Sequence, residues 1–270
     1  TPRQIFIFEG LGAPLPQFAH LPVVAEPGSR VKLSKRKLDK YLKNPEFAEL
    51  YQHGRRIADR LGLEVSPETF NPVITDFYRI AGFLPEAILN YLLLLGWSLD
   101  DKTEVLSPAE QIAHFSLERV NKAAASFDPK KLFSFQERYM QALSVDERLA
   151  LTLPYVEQAG WITSPASEAD RERVRGIVAA ASDRIKVSGD ILDYDEFFVD
   201  DEALVYDAKA FDKRIRSVAG VGELLAALRE AIAALPPDAA FDAAAVARLL
   251  TEFVSARGLG LGAIVHAARL

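Results

Sequence analysis

Lys32-Leu33-Ser34-Lys35-Arg36 stands between a turn and a long helical tail, and the reading of those two flanks decides the fold. Upstream, Glu26-Pro27-Gly28-Ser29 closes an apolar run, Leu21-Pro22-Val23-Val24-Ala25, that reads as a short strand, so the pentapeptide falls on a loop. Further upstream, Gln4-Ile5-Phe6-Ile7-Phe8-Glu9 has apolar residues too closely spaced for a surface helix. That spacing leaves a short buried strand or a helix fragment, interrupted by Pro14 and Pro16. Beyond Leu38 the period becomes helical. Phe47, Leu50 and Tyr51 share one helical face with Pro45 near its start, and Ile57 and Leu61 continue it.

Helix starts then recur. Pro85 opens a helix from Glu86 to Leu95 with Gly96 as its stop, and Ser107-Pro108-Ala109-Glu110 is a capping box with proline at the first helical position. Asp128-Pro129, Ser134-x-x-Glu137 and Ser144-x-x-Glu147 repeat that logic: an oxygen takes one orphan N–H and a carboxylate reaches back to another. Ser164-Pro165 predicts a further helix start. Its inner face is Val174, Ile177, Val178, Ala181 and Ile185, with Arg171, Glu172, Arg173 and Arg175 elsewhere on the wheel. Leu224, Leu225, Leu228, Ile232 and Leu235 mark another, stopped by Pro236-Pro237. Asp242 caps the last, with Val246, Leu249, Leu250 and Phe253 inside and an end near Gly258. The expected fold is mainly α.

Composition narrows the class. At 270 residues the chain has room for one large or two to three small domains, and 49% hydrophobic with 26% charged residues is globular, not disordered. Without cysteine there is no disulfide or thiolate site, and His20, His53, His114 and His266 are scattered, so no metal site is expected. The apolar run Ala87 to Trp97 contains Asn90 and falls short of the ~20 residues that span a bilayer, so it reads as a buried core helix. No secretory pattern opens the chain; a soluble, cytoplasmic protein with no membrane partner is expected. The net charge of −6 is unevenly spread: Ser29 to Arg60 holds ten Lys/Arg against four Asp/Glu, whereas Gly189 to Asp207 holds eight acidic residues and no basic one. A basic surface on an acidic body suits a protein that touches RNA at chosen places; two solvated segments are the alternative.

Phe18-Ala19-His20-Leu21-Pro22 precedes the pentapeptide, and Leu84-Pro85-Glu86-Ala87-Ile88-Leu89-Asn90-Tyr91-Leu92 with Leu95-Gly96-Trp97-Ser98 follows it. In that order these motifs resemble the second half of a bacterial glutamyl-tRNA synthetase, a class I aminoacyl-tRNA synthetase. Gly189-Asp190-Ile191-Leu192 followed by Phe197-Phe198 is similar to a segment of that family's anticodon-binding region. The resemblance implies that Lys32, Leu33, Ser34, Lys35 and Arg36 are the ATP-binding signature, with Lys35 foremost on ATP and Lys32 second, and that Mg2+ accompanies the nucleotide. It also implies tRNA(Glu) as partner, with glutamate and ATP as substrates of the full-length enzyme, and a monomer.

No His-x-Gly-His occurs, so the chain is expected to be a carboxy-terminal portion that carries no catalytic residue of its own and is inactive alone. Where the family continues with His-Gly-Asp, this chain has Lys37-Leu38-Asp39, and it reaches Asp76-Phe77-Tyr78-Arg79-Ile80-Ala81-Gly82-Phe83 only later. The interval 39–75 therefore reads as an insertion whose Tyr41, Phe47 and Tyr51 are packing residues, or else contacts to the tRNA acceptor end. The implied organisation is a remnant of an α/β catalytic domain over 1–38, the insertion over 39–75, stem-contact helices over 76–128 and an all-α anticodon-binding domain over 129–270.

The function so implied is the tRNA-recognition part of an ATP-dependent glutamate–tRNA ligase. A non-enzymatic synthetase-like RNA-binding module and a helical scaffold are the alternatives; a paralogue that glutamylates a tRNA base is disfavoured by the long helical tail. Gly258-Leu259-Gly260-Leu261-Gly262 has the wrong spacing for a dinucleotide fingerprint and reads as a helix terminus and linker. His20 lacks a Ser or Cys partner and reads as a structural or rim residue. Arg171, Arg173, Arg175, Arg184, Arg214, Arg216 and Arg269 are available to splayed bases, and sequence singles out none of them as a tRNA-binding residue.

Overall fold

Asn44 takes the amide of Phe47 at 3.0 Å and Pro45 occupies the first helical position, so the chain enters its first long helix where the sequence signals it. The structure is a computed structural model that describes residues 1–236 and 242–270, and it consists of two units, Thr1–Phe198 and Val199–Leu270. The first contains α1 (Pro2–Gly10), α2 (Leu38–Tyr41), α3 (Pro45–Arg60), α4 (Thr75–Ala81), α5 (Pro85–Leu94), α6 (Pro108–His114), α7 (Pro129–Ala142), α8 (Val145–Gln158) and α9 (Glu168–Ala181). The second contains α10 (Ala208–Phe211), α11 (Val221–Ala233), α12 (Ala243–Ser255) and α13 (Val265–Ala268). The mainly-α expectation holds, and no helix among the described residues is long and apolar enough to cross a membrane.

Among the described residues β pairing is confined to isolated bridges, Ala25 with Lys32 and Ser126, and Trp97 with Val120. The predicted strand Leu21–Ala25 thus shrinks to one bridged residue. The reason is the turn that follows: Ser29 N–H reaches Glu26 O at 3.0 Å, Gly28 supplies φ +66°, and the chain reverses at once. Only Glu26 N to Val31 O and Leu33 N to Val24 O join the two arms. Residues 4–9 are helical, in α1, and not buried: Phe6 is 71% and Ile7 59% exposed. Proline at the head of α1 suits a helix start, and among the described residues no strand pairs with it.

The core of the first unit is aromatic. Tyr41, Phe47 and Tyr51 are buried in it with Phe70, Phe77, Tyr91 and Phe127, so the aromatic side chains of 39–75 pack instead of facing solvent. Tyr91 Oη also accepts the Asp128 amide at 2.8 Å, tying α5 to the start of α7. The run Ala87–Trp97 is buried on one face only: Ala87, Asn90, Tyr91 and Trp97 are inside, whereas Leu89 and Leu92 are exposed. Asn90 belongs inside because it holds a loop, donating to Glu104 O and accepting from Leu106 N, each at 2.9 Å.

The capping boxes at Ser107 and Ser144 form, and Asp128 caps α7. Two expected starts move. Ser134 lies inside α7, because the Asp128 cap has already begun that helix. The helix expected at Ser164 starts at Glu168 with Ser167 as its cap. Glu157 takes the Ser164 hydroxyl at 3.2 Å and the Ala166 amide at 2.8 Å, which holds this stretch as a turn against α8. The inner face of α9 holds for Val174, Ile177, Val178 and Ala181, all buried; Ile185 is buried as well but lies beyond the helix, which ends at Ala181 where Ser182 takes φ +53°.

In the second unit Leu228, Phe253, Val254 and Ile264 form a small core with Leu224, Leu225, Leu249 and Leu250 packed on it. Asp242 caps α12 through Ala245 N at 2.8 Å, and Gly258 at φ +68° follows its end. Pro236 follows α11; Pro237, the other half of the expected stop, lies outside the described residues.

One backbone approach in the first unit leaves no room for a side chain. α4 ends at Gly82, whose carbonyl accepts the Ser188 amide at 3.0 Å, and a Cβ on Gly189 would stand 2.6 Å from Ile57 Cγ2 and 2.9 Å from Ala81 O. Because one neighbour is backbone, relaxation is limited. Gly189→Ala is expected to lower stability by about 1–3 kcal/mol, read as a lower urea midpoint of the chain; an unchanged midpoint would contradict this packing.

Candidate functional site

The loop that carries the basic pentapeptide is built around a buried acid. Glu26, 1% exposed, accepts from Lys37 Nζ at 3.0 Å, pairs with Lys40, and accepts from Tyr41 Oη at 3.3 Å. Tyr41 Oη in turn accepts the Ser34 amide at 2.9 Å. Leu33 packs against the core and Leu38 is buried in it, so both ends of the pentapeptide are anchored by apolar contacts. From Lys35 to Lys37 the backbone is one turn of 3-10 helix, so only the first part of the pentapeptide is irregular loop.

Hydrogen bonds from Lys40 and Lys37 hold the Glu26 carboxyl below its ordinary value, more than offsetting the burial that would raise it. Burial pushes the Tyr41 phenol up, which keeps it protonated and able to donate. Two exposed cations are therefore engaged by one buried carboxylate. Lys32, Lys35 and Arg36 are exposed and make no ion pair among the described residues, so three positive groups of the pentapeptide stay unpaired. Such a group can take a polyphosphate; Ser34 adds its hydroxyl, since its amide is committed to Tyr41.

His20 lies apart from this chemistry. It is exposed, with Nε2 at 2.9 Å from Thr1 Oγ1. Among the described residues no group of His, Cys, Asp and Glu is arranged to hold a metal.

The two oppositely charged segments of the sequence meet each other. His53 Nε2 lies 2.5 Å from Asp190, Arg56 3.0 Å from Asp193, and Arg60 3.6 Å from Asp193 and 3.1 Å from Asp195. Part of the basic excess of α3 is thus neutralised by part of the acidic run, a pairing of residues 137 apart that sequence reading did not propose. Its only signal was the complementary charge. A cleft of about 1100 Å³ between α3, α7 and residues 184–193 is lined by the His53–Asp190 and Arg56–Asp193 pairs and by Lys186 with Glu137 at 2.5 Å, so much of its charge is already neutralised. Of the candidate arginines, Arg175 pairs with Asp146 and Glu172, Arg216 with Asp212 at 2.6 Å, and Arg184 reaches backbone carbonyls of α9. Arg171, Arg173, Arg214 and Arg269 make no ion pair among the described residues.

Two families match the chain: "Anticodon binding domain" over residues 147–270, and "tRNA synthetases class I (E and Q), catalytic domain" over residues 69–134. Among curated relatives, a glutamate–tRNA ligase of Moorella thermoacetica is 33% identical over 270 residues, covering 100% of this chain and 47% of its own length. That of Thermobifida fusca is 33% identical over 265 residues, 97% of this chain and 47% of its own. A crystal structure of a glutamate tRNA ligase from Elizabethkingia meningosepticum, in complex with its amino acid, superposes with TM-score 0.69 at 28% identity, covering 100% of this chain and 48% of that one. The chain spans about half the length of the curated relatives it matches.

A depressed carboxylate contributes stability above its unfolded pKa and loses it as pH falls through the folded one. Wild type is therefore expected to be more stable than Glu26→Gln at neutral pH, with the difference in urea midpoint shrinking below the ordinary value of 4.5. A midpoint difference that stays constant into acid would mean the carboxylate is not what stabilises the loop.

Proposed function

We propose, for a chain that belongs to the glutamate–tRNA ligase family of class I synthetases, that it supplies the ATP signature loop and the tRNA-reading helices of an enzyme that joins glutamate to tRNA(Glu). The reaction is attack of the glutamate carboxylate on the α-phosphorus of ATP, with pyrophosphate leaving, and transfer of the activated glutamyl group to a tRNA hydroxyl, with AMP leaving. Negative charge grows on the phosphate oxygens and the leaving group, so fixed cations there lower the barrier by binding the transition state more tightly than the ground state.

The observation that carries this reading is the sorting of charge on the loop. Lys37 and Lys40 are taken by Glu26, whereas Lys32, Lys35 and Arg36 remain free for phosphates. Lys35 is assigned to the pyrophosphate side of ATP, with Lys32 second and Arg36, Ser34 and Leu33 completing the binding loop. Mg2+ would arrive on the phosphates, which suit its preference for oxygen ligands and retained waters.

The domain reading is 1–38 as the end of the nucleotide-binding domain, 39–75 as an insertion, 76–128 as stem-contact helices and 129–270 as the anticodon-binding domain. The chain carries no His-x-Gly-His, and we assign the binding of glutamate to the remainder of the enzyme. The chain alone is inactive, and the enzyme works as a cytoplasmic monomer.

In the full-length ligase, Lys35→Ala should lower ATP–pyrophosphate exchange by about 10²–10³ in kcat, with the KM for glutamate and tRNA affinity little changed. Near-normal exchange by that variant would show that the loop does not serve ATP.

The chain itself should bind tRNA(Glu) weakly, with affinity falling as salt rises because cations displace counterions from phosphates. A preference over the same tRNA with a scrambled anticodon should persist at moderate salt, where base and shape contacts outlast screened attraction. Filter binding at two salt concentrations makes the comparison; equal retention of both RNAs at each salt would refute anticodon reading by residues 129–270.

A further inference from the structure

Glu26 stands outside the pentapeptide, yet the side-chain hydrogen bond that holds the Ser34 amide leads back to it through Tyr41. Its carboxylate holds Lys37, Lys40 and Tyr41, and Tyr41 holds the Ser34 amide. Its backbone is fixed to the helical body: Ser126 Oγ donates to Glu26 O at 3.0 Å and accepts from Gly28 N at 3.1 Å. Beside it, Ala25 pairs with Ala125 and Phe127 at 2.8 and 3.0 Å. A continuous series of contacts thus runs from the segment before α7, through Glu26, to the middle of the basic loop.

From this geometry we propose that Glu26 is a positioning residue for ATP: it clamps the signature loop to the helical body and withdraws Lys37 and Lys40 from the phosphates. The proposal rests on the assignment of the pentapeptide to ATP. Glu26 touches no reacting atom; it acts through Tyr41 on Ser34, and through the two lysines on the local field. With the carboxylate gone, Lys37 and Lys40 would be left unpaired near Lys32, Lys35 and Arg36 in the chain and compete with them for phosphate in other geometries. The Ser34 amide would be held only by a tyrosine that had lost its own acceptor. Correct placement of transferring groups is worth a large part of a catalysed rate, so a displaced loop should act on nucleotide use specifically.

The test uses the full-length ligase and ATP–pyrophosphate exchange. Glu26→Gln should raise the KM for ATP by about tenfold or more, in keeping with loss of hydrogen bonds to a charged group, while the KM for glutamate stays unchanged. Tyr41→Phe should move the KM for ATP in the same direction by less. Combined, the two should do no more than Glu26→Gln alone, because they interrupt one series of contacts. Replacing Lys37 and Lys40 with Met in the Glu26→Gln background should recover part of the loss, since the competing cations are then removed.

A KM for ATP unchanged in Glu26→Gln, alongside an impaired Lys35→Ala, would overturn the clamp and leave the ATP assignment standing. Parallel rises in both KM values would also overturn it, since they would mark a purely structural residue. Normal exchange by Lys35→Ala would remove the ATP assignment itself and the clamp with it. The two failures are read on different variants.

Discussion

Gly189 lies so close to α3 and α4 that a methyl group in its place would stand inside the contact distance of Ile57 and of the Ala81 carbonyl. The rest of the first unit depends on this approach. Ile191 and Leu192 are buried with Ile57, Phe77 and Val178 because the backbone comes that near, and Asp190 can then cap the Lys186 and Val187 amides while meeting His53. Gly82, at φ +87°, closes α4 at the same point and receives the Ser188 amide. A basic helix and an acidic turn, far apart in sequence, become neighbours as a consequence.

The ion pairs around that junction differ in weight from those at the basic loop. Arg56 with Asp193 is an exposed pair, 49% and 38% accessible, and such pairs contribute about 0–1 kcal/mol. Their effect is to neutralise charge on α3. Glu26 is enclosed, and an enclosed carboxylate deprived of its partners is costly, so Lys37 and Lys40 are held to it more firmly than they would be to an exposed acid. That difference explains why a stretch rich in lysine and arginine leaves only part of its charge unpaired. Net charge along the chain is a poor guide to the field over the surface when a single buried acid can retire two cations.

The exposed apolar residues follow the same division between local signal and packing. In α5, Ala87 and Tyr91 face the core while Leu89 and Leu92 face solvent, and nothing in an almost unbroken apolar run distinguishes the two sets in advance. Asn90, the polar exception, turned out to be the residue that ties α5 to residues 104–106 and, through Tyr139, to α7. Polar residues inside apolar runs are held by specific partners, and those partners come from elsewhere in the chain.

Caps that depend on three or four adjacent residues were legible: Ser107, Asp128, Ser144 and Asp242 each begin a helix as their side chains predict, and the buried stripe of α9 follows from its period. The order of motifs around Lys32–Arg36 was likewise enough to point to the family. Competition between signals was not legible: Ser134 yields to the earlier Asp128 cap, and Ser164 is held by Glu157 of α8, leaving Ser167 to begin α9. Nor was the contact of α3 with residues 190–195, or the clamp from Glu26 through Tyr41 to Ser34, because the partners are brought together by the core and not by any spacing in the chain. Local rules act through backbone groups within one turn, and the sequence by itself determines what they decide. Which cations stay free, and which apolar face stays exposed, depend on what packs opposite them, and only the tertiary structure decides that.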